Sequence, residues 1–153
     1  MRLIFAFALL LPFSAFSSAK FSVGTGLWAF FDEQDMAALH LVYEYPDDPN
    51  LFNLRPTFLA VKMEEGHSYY AVGLTKRLDI NDTFSWGVGS NVGFLDESHE
   101  LGHKLEFYTR AFIEYKLTEQ SSIELEIGHI SNAGFGDINP GSESLVLSYS
   151  HSI

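Results

Sequence analysis

Ile123-Glu124-Leu125-Glu126-Ile127-Gly128-His129-Ile130-Ser131-Asn132 is followed by a Gly/Asn/Pro loop and then by Glu143-Ser144-Leu145-Val146-Leu147-Ser148-Tyr149. Side chains of a strand alternate between two faces. Ile123, Leu125, Ile127, His129 and Ser131 therefore share one face, and Glu143, Leu145, Leu147 and Tyr149 share one face of the next strand. A histidine, a serine and a carboxylate align with the apolar faces of neighbouring strands, not with the polar ones. A half-buried soluble sheet has the opposite arrangement, with polar side chains on the solvated face.

The same alternation recurs upstream. Strand-like segments cover 21–31, 37–45, 54–64, 68–78, 84–94 and 105–117, separated by polar or Gly/Pro-containing breaks such as Pro46-Asp47-Asp48-Pro49-Asn50. In 84–94, Trp86, Val88, Val92 and Phe94 oppose Gly87, Gly89, Asn91 and Gly93. In 105–117, Phe107, Ala111, Ile113 and Tyr115 oppose Glu106, Arg110, Glu114 and Lys116. With the closing pair this makes about eight strands of the length a tilted strand needs to cross a bilayer. No helical periodicity, internal linker or second domain interrupts them.

The start of the chain has a different character. Arg2 precedes the apolar stretch 3–13, and Ser17-Ser18-Ala19 supplies small residues for cleavage. This is the pattern of a secretory signal over 1–19, with 20–153 as one domain. The apolar run is short for a membrane anchor of about 20 residues. The chain has no cysteine, so an exported form has no disulfide framework. A formal net charge of −11 argues against nucleic acid as partner. Any contact with a phosphorylated lipid then needs local Lys/Arg or bridging divalent cations.

Two architectures fit the alternation: a soluble barrel or sandwich with an apolar interior, and a membrane barrel with an apolar exterior. Three features favour an eight-stranded antiparallel transmembrane β-barrel. The small-and-polar faces can fill a narrow interior, with ion pairs such as Arg110 with Glu106 or Glu114. Aromatics reach 15%, as interfacial girdles require. The strand number is even. If the N-terminus starts in the periplasm, His129, Ser131 and Glu143 sit at one height on the lipid side near the outer surface.

These three residue types suit nucleophilic catalysis. Serine needs a base to take its proton, histidine serves near neutral pH, and a carboxylate fixes its tautomer and stabilises the imidazolium. His129 and Ser131 are two apart, with Cα atoms about 6.5–7 Å apart. The alternative is three unrelated polar residues near a barrel rim. Their shared placement toward lipid makes that alternative harder to hold, since each polar group in hydrocarbon must find a partner, but the pattern alone leaves both readings open.

His129-Ile130-Ser131-Asn132-Ala133-Gly134 with Asn139-Pro140-Gly141-Ser142-Glu143-Ser144 resembles the C-terminal signature of the outer-membrane lipid A 3-O-deacylase family. The resemblance covers about the last quarter of the chain; the rest agrees in length and pattern. It implies an eight-stranded barrel in the bacterial outer membrane and hydrolysis of the 3-position ester of lipid A, releasing a 3-hydroxy fatty acid. It implies Ser131 as nucleophile, His129 as base and Glu143 as its orienting partner. Asn139 and the Gly141 amide are the candidate oxyanion donors, Pro140 having no amide to offer. Asn132 points to the other face and reads as structural. The family includes a dimer; whether this barrel pairs is open. The C-terminal Ile153 departs from the aromatic with which outer-membrane barrels often end. Nothing in the sequence demands a metal or organic cofactor. A non-catalytic barrel, adhesin or structural protein, is the competing reading.

His99-Glu100-Leu101-Gly102-His103 matches the zinc-protease pattern His-Glu-x-x-His. That chemistry needs a helix, where residues four apart share a face. Here the residues fall in a short acidic loop without an evident third ligand, so a solvated loop is expected. His40 and Glu44, both inward, read as interior packing.

Overall fold

The structure, a computed structural model, describes residues 19–28, 36–64, 66–96 and 101–153. The expected signal segment lies outside the described residues, except for Ala19, whose carbonyl accepts from the Ile153 amide at 2.8 Å. Eight strands follow in order: β1 (Lys20–Trp28), β2 (Met36–Glu44), β3 (Arg55–Met63), β4 (Ser68–Asp79), β5 (Phe84–Leu95), β6 (Leu105–Lys116), β7 (Ser121–Ser131) and β8 (Ser142–Ser152). They form a closed antiparallel barrel. β8 returns to β1 in unbroken register from Lys20↔Ser152 to Trp28↔Ser144. Closure leaves no edge strand, which is the condition for a sheet to sit in hydrocarbon. The strand boundaries fall close to those expected, although the expected end of the first strand (29–31) lies outside the described residues.

Alternation has a physical cause in each wall segment. β5 reads out–in along its whole length, with Trp86, Val88 and Phe94 exposed and Ser85, Asn91 and Leu95 buried. The exposed large side chains Phe21, Leu39, Leu41, Phe58, Val72, Ile113, Ile127 and Leu147 clothe the outside. β3 adds a qualification. Its more apolar set, Leu59, Val61 and Met63, faces inward. The interior thus has two zones. Toward the end opposite the termini, Trp28, Tyr69, Tyr108, Leu59, Val61, Met63 and Ile130 pack as an apolar plug. Trp28 stacks on Tyr108 at 5.3 Å and donates its Nε1–H to His40 Nε2 at 2.6 Å.

Toward the termini the interior is ionic. Arg77 donates to Glu44 at 2.7 and 2.9 Å, to Glu114 at 2.6 Å and to Glu124 at 2.8 Å. Arg110 donates to Glu126 at 2.7 Å and to Glu44 at 3.0 Å. Lys20 reaches Glu114. The expected pairing of Arg110 with Glu106 or Glu114 is therefore not the one formed. Residues four apart on a strand are about 13 Å apart. An interior arginine reaches across the lumen or to the next strand more readily than along its own.

Candidate active site at the barrel rim

The site is built where β7 ends and β8 begins, at the rim opposite the chain termini. The β7–β8 ladder sets His129 opposite Glu143, one step before its last pair, Ile130↔Ser142. His129 Nδ1 and Glu143 Oε1 are 3.2 Å apart. Both side chains lie on the outer face, 47% and 37% exposed, so the pair is open to lipid and not sealed in the lumen. With Nδ1–H donated to the carboxylate, Nε2 is left as the basic nitrogen. Ser131 is half-buried on the same outer face, two residues along β7 and opposite Phe107 of β6. Phe107 stacks with Phe135 of the β7–β8 loop at 6.0 Å, so an aromatic pair flanks the serine.

The wall behind this trio is stapled from inside. Tyr108 of β6 donates its hydroxyl to Glu126 of β7 at 2.7 Å and lies 2.7 Å from Ser144 Oγ of β8. Ser144 pairs with Gly128, the residue before His129. Gly128 is needed there, because a Cβ would fall 2.1 Å from the Tyr108 hydroxyl. Three strands are thus tied immediately behind the histidine and the glutamate. Sequence reading did not single out Tyr108, Glu126 or Ser144 as supports. Their inward phase was visible, but their meeting depends on register across three strands.

The loop after β7 is held by Asn132. Its side chain donates to the carbonyls of Leu101 and Ile138, both at 2.7 Å, and accepts from the Gly134 amide at 2.9 Å. It is fully buried, consistent with the structural role expected of it. Its own amide donates to Asn139 Oδ1 at 3.0 Å. That bond occupies the carbonyl oxygen of Asn139 and orients the side chain whose NH₂ was the candidate oxyanion donor. Gly141 adopts φ +70°, and a Cβ there would lie 2.7 Å from His129 Cε1 and 3.2 Å from Nε2. The glycine backbone therefore forms a wall against the basic edge of the imidazole.

The His-Glu-x-x-His stretch has a different use. His99 and Glu100 lie outside the described residues. Leu101 and Gly102 form a turn, and His103 Nδ1 accepts from the Leu105 amide at 2.9 Å. The described part is not the solvated loop expected. Leu101 packs against the core, and its carbonyl receives Asn132, so the turn is a bracket under the β7–β8 loop. Among the described residues no cluster of three or more His, Cys, Asp or Glu is arranged to hold a metal ion.

Comparison with known proteins follows the same lines. A de novo designed transmembrane β-barrel matches with a TM-score of 0.68 at 9% identity, over 90% of this chain and 96% of its own. The crystal structure of the outer-membrane enzyme PagL matches with a TM-score of 0.65 at 17% identity, over 88% of this chain and 99% of its own. Neisserial surface protein A matches with a TM-score of 0.58 at 9% identity, over 88% and 96%. At these identities the likenesses show the fold, a β-barrel of the outer-membrane type. No curated protein matches significantly by sequence. The sequence profile of the lipid A 3-O-deacylase (PagL) family matches residues 19–152, and the chain belongs to that family.

Proposed function

We propose that this protein is a serine esterase of the bacterial outer membrane. It hydrolyses the 3-position acyl ester of lipid A in the outer leaflet and releases a 3-hydroxy fatty acid. The observation that supports this most is the His129–Glu143 pair at 3.2 Å on the lipid-facing wall, with Ser131 two residues away on the same face. Export by a signal over residues 1–19 fits the same reading.

Ser131 Oγ attacks the ester carbonyl while His129 Nε2 takes its proton. Glu143 holds Nδ1–H and stabilises the imidazolium that forms. The tetrahedral oxyanion is met by the Asn139 side-chain NH₂ and the Gly141 amide. Collapse expels the sugar oxygen, which His129 protonates, and leaves the acyl group on Ser131. Water, activated by His129, attacks that ester and releases the fatty acid. No cleft is required, because the acyl chains stay in the bilayer while the ester reaches Ser131 from the side.

The test is direct. Refolded parent, Ser131→Ala and His129→Asn proteins are incubated with lipopolysaccharide, and the lipid A is weighed by mass spectrometry. Folding of each is checked by the heat-modified gel shift. Loss of one 3-hydroxyacyl group with the parent alone supports the reading. An unchanged lipid A mass with a folded parent overturns it and leaves a non-catalytic barrel.

A further inference from the structure

The outer faces of β5 and β6 carry hydrophobic side chains at every position but two. Ser90 and Thr109 are exposed there, among Trp86, Val88, Val92 and Phe94 on one strand and Phe107, Ala111, Ile113 and Tyr115 on the other. The register puts both hydroxyls in the row of the site: Glu143 opposite His129, His129 opposite Thr109, Thr109 opposite Ser90. The next row along the strands toward the rim contains Ser131, Phe107 and Val92. The row on the other side contains Ile127, Ala111 and Val88. A polar row thus runs across the outer wall from the site, with apolar side chains on both flanks except for Ser131 beside the site itself.

Threonine is at home in strands, and a lone lipid-facing hydroxyl asks for little explanation. Two hydroxyls confined to the row that contains His129 ask for more. Directly opposed Cβ atoms lie about 4.5–5.5 Å apart and diagonal neighbours about 7–8 Å apart. Thr109 therefore stands beside His129 and diagonal to Ser131. A group of the substrate a few bonds from the carbonyl under attack comes within its reach. The row carries no Lys or Arg and includes the carboxylate of Glu143, which disfavours a phosphate or carboxylate. Its apolar flanks suit a hydrocarbon chain, and a hydroxyl both donates and accepts, as an alcohol on that chain does.

We propose that Thr109, with Ser90 behind it, binds a hydroxyl borne by the acyl chain two carbons from the scissile carbonyl. Thr109 is then a specificity residue that selects 3-hydroxyacyl esters over unsubstituted ones. The inference rests on the esterase reading above. In hydrocarbon the paired hydroxyls satisfy one another, whereas an unsubstituted chain leaves Thr109 without that partner.

The experiment uses two matched glucosamine 3-esters in detergent micelles, one with a 3-hydroxyacyl chain and one with an unsubstituted chain of the same length. Hydrolysis is followed for the parent, Thr109→Val, Thr109→Ala and Thr109→Ser. The parent is expected to prefer the hydroxylated ester by about tenfold in kcat/KM, the effect of one hydrogen bond. Thr109→Val and Thr109→Ala bring that ratio close to one while the rate on the unsubstituted ester is kept. Thr109→Ser restores the preference. Equal discrimination by parent and Thr109→Val, an equal loss on both esters, or a parent without preference overturns the assignment and leaves the esterase standing. A folded parent that cleaves neither ester overturns both.

Discussion

At the scale of single residues the site depends on how one imidazole is held. Glu143 accepts from Nδ1 on one side, and the Gly141 backbone closes against the Cε1–Nε2 edge on the other. Glu143→Gln keeps the shape and removes the charge that stabilises the imidazolium. Activity on lipid A should fall by about a hundredfold or more, with the gel shift unchanged. Undiminished activity would mean that another group orients His129. Gly141→Ala is a different perturbation. It forces a left-handed conformation on alanine, at about 1 kcal/mol, and pushes a methyl group into the ring. The expected result is a kcat reduced at least tenfold with the barrel still folded, read from steady-state kinetics beside the heat-modified gel. The residue types were legible in the sequence, because a strand's two-residue period sets His129, Ser131 and the face of Glu143 without any knowledge of the fold. The contact of Gly141 with the ring was not legible, since it depends on the path of an irregular loop.

At the scale of elements, β7, β8 and the loop between them behave as one positioned unit. The inner staple of Tyr108, Glu126 and Ser144 holds the strands, and Asn132 holds the loop to the β5–β6 turn. Asn132→Asp is nearly isosteric but replaces two buried N–H donors by an acceptor facing two carbonyls. Each buried acceptor left unpaired costs about 1–3 kcal/mol. Because the damage is confined to the loop, protease cleavage within 132–141 should accelerate and activity should drop, while the barrel's thermal transition stays in place. Cleavage no faster than in the parent would sink the idea that Asn132 anchors the loop. The stretch 99–103 carries a related lesson. Its pattern matches a metal-binding helix in one dimension, yet its described residues Leu101 and Gly102 form a turn, with Gly102 at φ +82°, a left-handed conformation that a helix does not contain.

At the scale of the whole molecule, stability depends on an ionic cluster enclosed by an apolar-clad wall. Arg110 is buried between Glu126, Glu44 and the Thr75 hydroxyl, 2.9 Å away. Arg110→Met leaves buried carboxylates without their counter-ion and should destabilise the barrel by about 3–5 kcal/mol. The midpoint of urea unfolding, followed by gel shift in micelles, should fall accordingly. Adding Glu126→Leu removes one of the stranded charges and should recover part of the loss, a coupling that two independent sites would not display. Strictly additive effects would place the two residues in separate environments.

The sequence by itself determined about eight alternating strands, with a histidine, a serine and a glutamate on their apolar faces, and it favoured a barrel with an apolar outside over a soluble one. The strands and faces need only a period of two, and the preference for the membrane rests on small-and-polar inner faces, abundant aromatics and an even strand number. Only the tertiary structure decided which partners meet. Arg110 pairs across the lumen and with its neighbouring strand because strand geometry separates it from Glu106 and Glu114 on its own. Glu143 meets His129, and Thr109 joins their row, because antiparallel register selects one cross-strand neighbour. A glycine-rich loop of the length found between β7 and β8 does not dictate that register; closure of all eight strands around a filled interior does.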